Sequence, residues 1–302
     1  MEMGREDILS YIDSKVNQRQ LETFCKHEGS GILDKAFRFI SAAPRDYIPI
    51  LITKFFKPLK GFLPSRPDIP LFVEPEVWDE LASPPHEVRL ARFFLKNLKE
   101  ADIFYDIGAN YGVYTRLASK ICKEVHSFEP LPSAFSSLEE NMKGVRGIFL
   151  NEIALGEKLG ESTVYVNKVD SGSSTMLQER KGFDPENFQE EIKVKVGTLD
   201  GYITSHSKPT VVKMDVEGAE SLVISGGMKF FRENSPVIAM EVWGGKWKHF
   251  PLRAVSLFLD LGYEIFAIDA DGSIKKTNEK FIRSLGVIDN FIFKRKEYSR
   301  DE

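Results

Sequence analysis

The chain has 302 residues, 42% of them hydrophobic, which is enough apolar material for one large domain or two small ones. Its 41 Lys and Arg against 45 Asp and Glu leave a net charge of −4 with no long block of one sign, which argues against nucleic acid as the main partner. Two cysteines, Cys25 and Cys122, lack the spacing of a zinc site and are too few for a disulfide framework, so the composition fits a reducing cytoplasm.

Met1 to Asp7 has no basic start followed by an apolar run, so it does not read as a secretory signal. Ile8, Ile12 and Val16, then less regularly Leu21 and Phe24, predict a helix over 6–27, and a second helix fits 32–42. The apolar stretch from Tyr47 to Phe56 is broken by Pro49 and Lys54, and is about half the roughly 20 residues that a membrane span requires. Lys54, Lys57 and Lys60 around Phe55 and Phe56 suit peripheral contact with an anionic membrane, but packing of a short amphipathic helix explains the apolar residues more simply. Prolines at 58, 64, 67, 70 and 75 remove amide donors and restrict their neighbours, which predicts an extended connector. The expected division is a helical region with its connector over 1–84, a main domain over 85–296 and a tail over 297–302.

Ser83 before Pro84 and Pro85 is a helix start, and Val88, Ala91, Phe94, Leu95 and Leu98 follow at helical spacing. Apolar runs at 103–107, 124–129, 147–155, 210–215, 236–242, 263–269 and 286–293 then alternate with amphipathic segments. This alternation predicts an α/β fold with a doubly wound, mainly parallel sheet. Ser162 to Val169 and Ile192 to Val196 have no clear helix between them and suggest an antiparallel pair flanking a polar segment.

The turn Asp106-Ile107-Gly108-Ala109-Asn110-Tyr111-Gly112 follows a strand and precedes a helix, the context in which a glycine turn receives a cofactor. Asn110 stands where the dinucleotide fingerprint needs its second glycine, and Gly112 is misplaced for the third, which disfavours an NAD(P)-dependent oxidoreductase. Glu129 ends the next strand, 23 residues after Asp106, where a carboxylate can accept both ribose hydroxyls of a nucleoside. Ligands of open α/β sheets bind beyond the carboxyl ends of the strands, so Asp106, Glu129, the Asn151-Glu152 region, Asp215 and Glu241 are expected on one rim.

These segments, with Ala154-Leu155-Gly156, Thr198-Leu199-Asp200 and Val212-Lys213-Met214-Asp215-Val216-Glu217-Gly218-Ala219-Glu220, resemble the FkbM-type methyltransferases of the Rossmann-like class. The resemblance covers about two thirds of the chain. It implies a seven-stranded sheet with one antiparallel strand, S-adenosylmethionine as methyl donor, and an oxygen acceptor on a sugar or other small molecule. It further implies that Gly108, Asn110 and Gly112 embrace the methionine part of the cofactor, that Asp106 orients this loop or the amino group, that Glu129 holds the ribose, and that Glu152 or Asn151 lies near the adenine.

Methyl transfer to a hydroxyl requires an aligned acceptor and removal of its proton. Asp215, Glu217 and Glu241 are the candidate carboxylates, acting directly or by helping to hold a divalent ion. The metal-free reading is preferred because no third dedicated ligand is evident in the sequence. Structural support of the sheet rim, with Lys213 as ion-pair partner, is the competing explanation of Asp215 and Glu217. Trp243 stands where the resemblance leads one to expect histidine, which leaves room for a non-catalytic binding or scaffold protein. His249 can supply a base, although a packing role suits it better, and the hydroxyl-rich Ser171 to Thr175 is a candidate acceptor contact or a hairpin connection.

Overall fold

A computed structural model describes residues 4–27, 85–167, 174–178, 188, 190–243 and 249–295. The expected helix over 32–42, the proline-rich connector and the Lys54–Lys60 segment lie outside the described residues. The chain divides into two compact units, Met1–Ile12 with Ile69–Glu302, and Asp13–Asp68.

Helix α1 (Arg5–His27) begins in the larger unit, where Ile8 and Ile12 are fully buried and the Arg5 guanidinium donates to the Leu98 carbonyl. In α2 (Pro85–Asn97) the apolar spacing reads directly as a buried stripe: Val88, Ala91, Phe94 and Leu95 are buried, and the Phe94 ring meets Phe104 and Tyr114 edge-on at 5.2 and 5.6 Å.

The expected alternation follows in β1 (Ile103–Ile107), α3 (Val113–Ser119), β2 (Glu124–Phe128), α4 (Pro132–Asn141) and β3 (Ile148–Asn151). After the small β-structure come α5 (Leu199–Tyr202), β7 (Val211–Met214), α6 (Glu220–Gly226), α7 (Met228–Glu233), β8 (Val237–Val242), α8 (His249–Asp260), β9 (Tyr263–Ile268), β10 (Ile274–Thr277), α9 (Glu279–Ser284) and β11 (Asp289–Arg295). The main sheet has eight strands in the order β10-β9-β11-β8-β7-β1-β2-β3. Strands β3, β2, β1, β7 and β8 run parallel, and β11 is antiparallel to both β8 and β9. The implied seven strands with one antiparallel are all present. The eighth is β10, a four-residue edge strand of a hairpin with β9, too short and too lysine-rich to stand out as an apolar run.

The run 147–155 is not one strand. It breaks after Asn151, and β4 (Ala154–Leu155) joins a separate three-stranded sheet as one of its edges. There β5 (Gly160–Val166) and β6 (Glu190–Gly197) form the anticipated antiparallel pair, from Gly160 opposite Val196 to Val166 opposite Glu190. Ala154, Val164 and Val194 of this sheet pack with Leu131 and Ala134. Thr198 caps α5 through the Gly201 amide, while Asp200 accepts from the Lys229 and Phe230 amides at the start of α7. Thr198-Leu199-Asp200 is thus a capping device in this fold.

From β1 the chain winds outward through β2 and β3, then returns to place β7 on the other side of β1. The direction of winding reverses between β1 and β7, and a crevice opens at the carboxyl ends of those strands.

Candidate active site

Strand register brings the expected acids to one rim. Ile107 pairs with Phe128 on one side and Met214 on the other, and Met214 pairs with Met240, so Gly108, Glu129, Asp215 and Glu241 each follow aligned residues. The end of β1 is tied to both neighbours: the Gly108 and Ala109 amides donate to the Phe128 carbonyl, and the Asp215 amide donates to that of Ile107.

A cleft at this point is lined by Gly108, Asn110, Glu129, Asp215 and Glu217, with Leu131, Ile153, Ala154, Val164 and Met176 giving an apolar wall. Of the acceptor-loop candidates, Ser171 to Ser173 lie outside the described residues. Ser174 lines the cleft, and the Thr175 hydroxyl donates to the Glu217 carbonyl at 2.7 Å. Glu152 is exposed and is not among the lining residues, whereas its neighbour Ile153 is; the Asn151 side chain donates to the Ser127 and Phe149 carbonyls.

Glu129 is 7% exposed. Its Oε2 accepts the Asn110 amide and its Oε1 the Leu131 amide, both at 2.9 Å. Burial pushes its carboxyl up to about 7 from an ordinary 4.5, against the pull of those two amides. A carboxylate oxygen has two acceptor directions, so each keeps one for a further donor. Asn110 holds its backbone at φ 50°, the left-handed region that asparagine tolerates better than most residues.

Gly108 and Gly112 are required by the chain itself. A Cβ on Gly108 would lie 1.8 Å from the Asp215 carbonyl oxygen, and one on Gly112 would lie 2.5 Å from Leu138 Cδ1. Both have positive φ, 82° and 98°. Gly108 lines the cleft and Gly112 sits behind it. Asp106 is fully buried, with Oδ2 accepting from the Thr115 hydroxyl at 2.7 Å, and Thr115 lies 2.7 Å from the Ser127 hydroxyl. It therefore braces the turn from beneath.

Lys213 connects this brace to the rim. Its Nζ lies 3.8 Å from Asp106 Oδ1, 3.2 Å from Asp215 Oδ2 and 5.0 Å from the Tyr114 ring centroid. Burial alone would lower its pKa, but Asp215, Asp106 and Glu87 hold it above the ordinary value, so it remains a cation. Asp215 is 28% exposed at its side chain and faces the cleft. Glu217 has φ 55°, a strained backbone for a non-glycine residue. Glu241 Oε2 accepts the Trp243 indole N–H at 2.8 Å, and carboxylate oxygens of Asp215, Glu217 and Glu241 lie within 4.8 Å of one another. Burial first, then Asp215 and Glu217, push the Glu241 carboxyl well above its usual range.

Glu220 and Trp243 support the rim, and His86 and Glu87 escaped the sequence reading. Glu220 is buried, and its Oε1 accepts from Gly218 at 3.1 Å and Val216 at 3.4 Å, bracing the loop that carries Glu217. Trp243 packs under Gly218, 3.2 Å from where a Cβ would stand. His86 and Glu87, in the first turn of α2, reach the rim: His86 Nε2 lies 4.0 Å from Glu241 Oε1, and Glu87 Oε2 accepts the Tyr114 hydroxyl at 2.5 Å. Two ionisable residues directly after Pro85, at the start of an amphipathic helix, were the available signal. The side chain of His249 lies outside the described residues.

The model of the methyltransferase FkbM domain matches residues 106–265, more than half of the chain, beginning at Asp106. The chain belongs to the FkbM methyltransferase family. Among its relatives is the hexuronic acid methyltransferase AglP of Haloferax volcanii, 26% identical over 141 residues, which are 46% of this chain and 56% of AglP. Another is the 2-O-methyltransferase NoeI of Sinorhizobium fredii, 25% identical over 198 residues, 60% of this chain and 80% of NoeI. The chain thus spans little more than half of AglP. The crystal structure of methyltransferase FkbM from Methylobacillus flagellatus superposes with a TM-score of 0.42 and 14% identity, covering 86% of this chain and 58% of that one. Among the described residues of this FkbM chain, no helix is long and apolar enough to cross a membrane.

Proposed function

We propose that this FkbM protein is an S-adenosylmethionine-dependent O-methyltransferase acting on a hydroxyl of a sugar or small metabolite. The observation that carries the reading is Glu129, a residue of the cleft lining whose two oxygens are each fixed by one backbone amide and each keep one acceptor direction unused. Two adjacent ribose hydroxyls fit that acceptor pair. The apolar wall of Leu131, Ile153, Ala154, Val164 and Met176 suits the adenine, and Gly108 and Asn110 suit the methionine part. An oxygen acceptor is supported by the relatives, one a hexuronic acid methyltransferase and the other a 2-O-methyltransferase.

When bound, S-adenosylmethionine supplies an activated methyl group on a sulfonium. The remaining tasks for the protein are to align the acceptor and accept its proton. Asp215 suits the second: it lines the cleft, and the buried Lys213 cation lies 3.2 Å from its Oδ2. Glu217 and Glu241 stand beside it as further candidate carboxylates. Calorimetry with S-adenosylmethionine and S-adenosylhomocysteine tests the cofactor step, and failure of the folded protein to bind either one removes the assignment. Incubation with isotopically labelled donor and a panel of glycans and metabolites tests transfer. A labelled methyl ether is the expected product, whereas donor binding with no product on any acceptor favours the scaffold reading.

A further inference from the structure

The sequence offers no third dedicated ligand to accompany the rim carboxylates, but the fold supplies one from outside the sheet. The first turn of α2 delivers His86 and Glu87 to the carboxyl end of β8, where Glu241 stands. His86 Nε2 lies 3.5 Å from Glu87 Oε1 and 4.0 Å from Glu241 Oε1, and ligand atoms of all three fall within 4.8 Å of one another. Around an ion with bonds near 2.0–2.2 Å, neighbouring ligand atoms sit roughly 3–3.5 Å apart. Small side-chain adjustments therefore close the triad.

The orientation of the two carboxylates is set by groups outside the triad. Glu87 Oε2 accepts the Tyr114 hydroxyl and Glu241 Oε2 accepts the Trp243 indole N–H, which leaves Oε1 of each residue turned toward the imidazole. Among the described residues, the further hydrogen-bond donor on these two Oε1 atoms is a long one, Asn290 Nδ2 at 3.4 Å from Glu87 Oε1. Outer donors that fix one carboxylate oxygen while the other faces a shared point are how protein ion sites hold their ligands.

Charge points the same way. Glu241 also approaches Asp215 and Glu217, while the buried cation Lys213 is engaged first by Asp215 and Asp106 and only then by Glu87. Side-chain exposures of 21, 23 and 12% for His86, Glu87 and Glu241 leave a route for a hydrated ion to enter.

We propose that His86, Glu87 and Glu241 form a binding site for one divalent transition-metal ion that accepts mixed nitrogen and oxygen ligands, such as Zn²⁺ or Mn²⁺. This goes beyond methyl transfer and does not depend on it, because the site is defined by its own ligands.

The test uses the full chain, freed of metal with a chelator and titrated with Co²⁺ by visible absorption and with Mn²⁺ by calorimetry. One equivalent of saturable binding is expected, with a Co²⁺ ligand-field band that is lost in His86→Ala and altered in His86→Gln. Trp243→Phe removes an outer donor and no ligand, so it should weaken binding about 10- to 100-fold. Thermal melts of the metal-free variants separate lost binding from lost folding, and the Trp243→Phe and His86→Gln results stand if His86→Ala fails to fold. Absence of saturable binding up to millimolar ion overturns the proposal. Wild-type affinity in both His86→Gln and Trp243→Phe overturns it as well, since the ion would then sit elsewhere.

Discussion

At the scale of single residues, Glu129 combines burial with two fixed amides and two unused acceptor directions. Its carboxyl sits at about 7, so the unliganded protein near neutrality holds a mixture of acid and carboxylate. Ribose hydroxyls donate to the ionised form, and affinity for S-adenosylmethionine should therefore increase as pH rises from about 6 to about 8. Calorimetry across that range checks the slope. Glu129→Gln should bind weakly at every pH and show none of that slope, and Glu129→Ala should be weaker still. Asp215 makes a different prediction. Asp215→Asn preserves shape but removes the proposed proton acceptor, so single-turnover transfer should fall by about 10²–10⁴ while cofactor affinity changes much less. Wild-type turnover in this variant would remove Asp215 from proton transfer.

At the scale of elements, Gly108 shows how closely the turn after β1 is bound to the neighbouring strand. Gly108→Ala must displace the Asp215 carbonyl, 1.8 Å from the new Cβ, from a backbone at φ 82°. The expected loss is about 2–4 kcal/mol in denaturant unfolding, and transfer should fall further than stability alone explains, because Asp215 moves with its carbonyl. The sequence conveyed the need for glycine here but attached it to a ligand, since nothing in a linear pattern reveals that β7 will lie against β1. The parallel strands were legible because, buried on both faces, they read as apolar runs. The break after Asn151 was not, since Ile148 to Leu155 stays largely apolar while the chain passes from one sheet to the other. The rim acids were legible because strand ends can be counted. His86 and Glu87 were not, because their place at the rim depends on how α2 packs against the sheet through Phe94.

At the scale of the whole molecule, the buried ionisable groups pull stability in opposite directions with pH. Glu129 and Glu220 are both raised from 4.5 to about 7 by burial, so their contribution is fully present below about 4.5 and is lost as pH rises through about 7. Each loss has a ceiling of about 3 kcal/mol. His126 is buried and its pKa is lowered from 6.5 by burial, so its contribution is full above 6.5 and is lost as pH falls through the lowered value. The unliganded protein should therefore melt several degrees lower at about pH 8 than at about pH 6, with Glu129→Gln and Glu220→Gln each reducing that difference. Saturating S-adenosylmethionine distinguishes the two carboxyls. It should recover the Glu129 share at the higher pH, because its ribose satisfies the ionised carboxylate, and leave the Glu220 share, because Glu220 is occupied with the Val216 and Gly218 amides. In Glu220→Gln the liganded protein should consequently decline less between these pH values than the unliganded protein, the remainder coming from the other buried carboxyl raised well above its usual range, Glu241. A decline that the bound donor leaves as large as in the unliganded Glu220→Gln protein would mean that Glu129 does not meet the ribose.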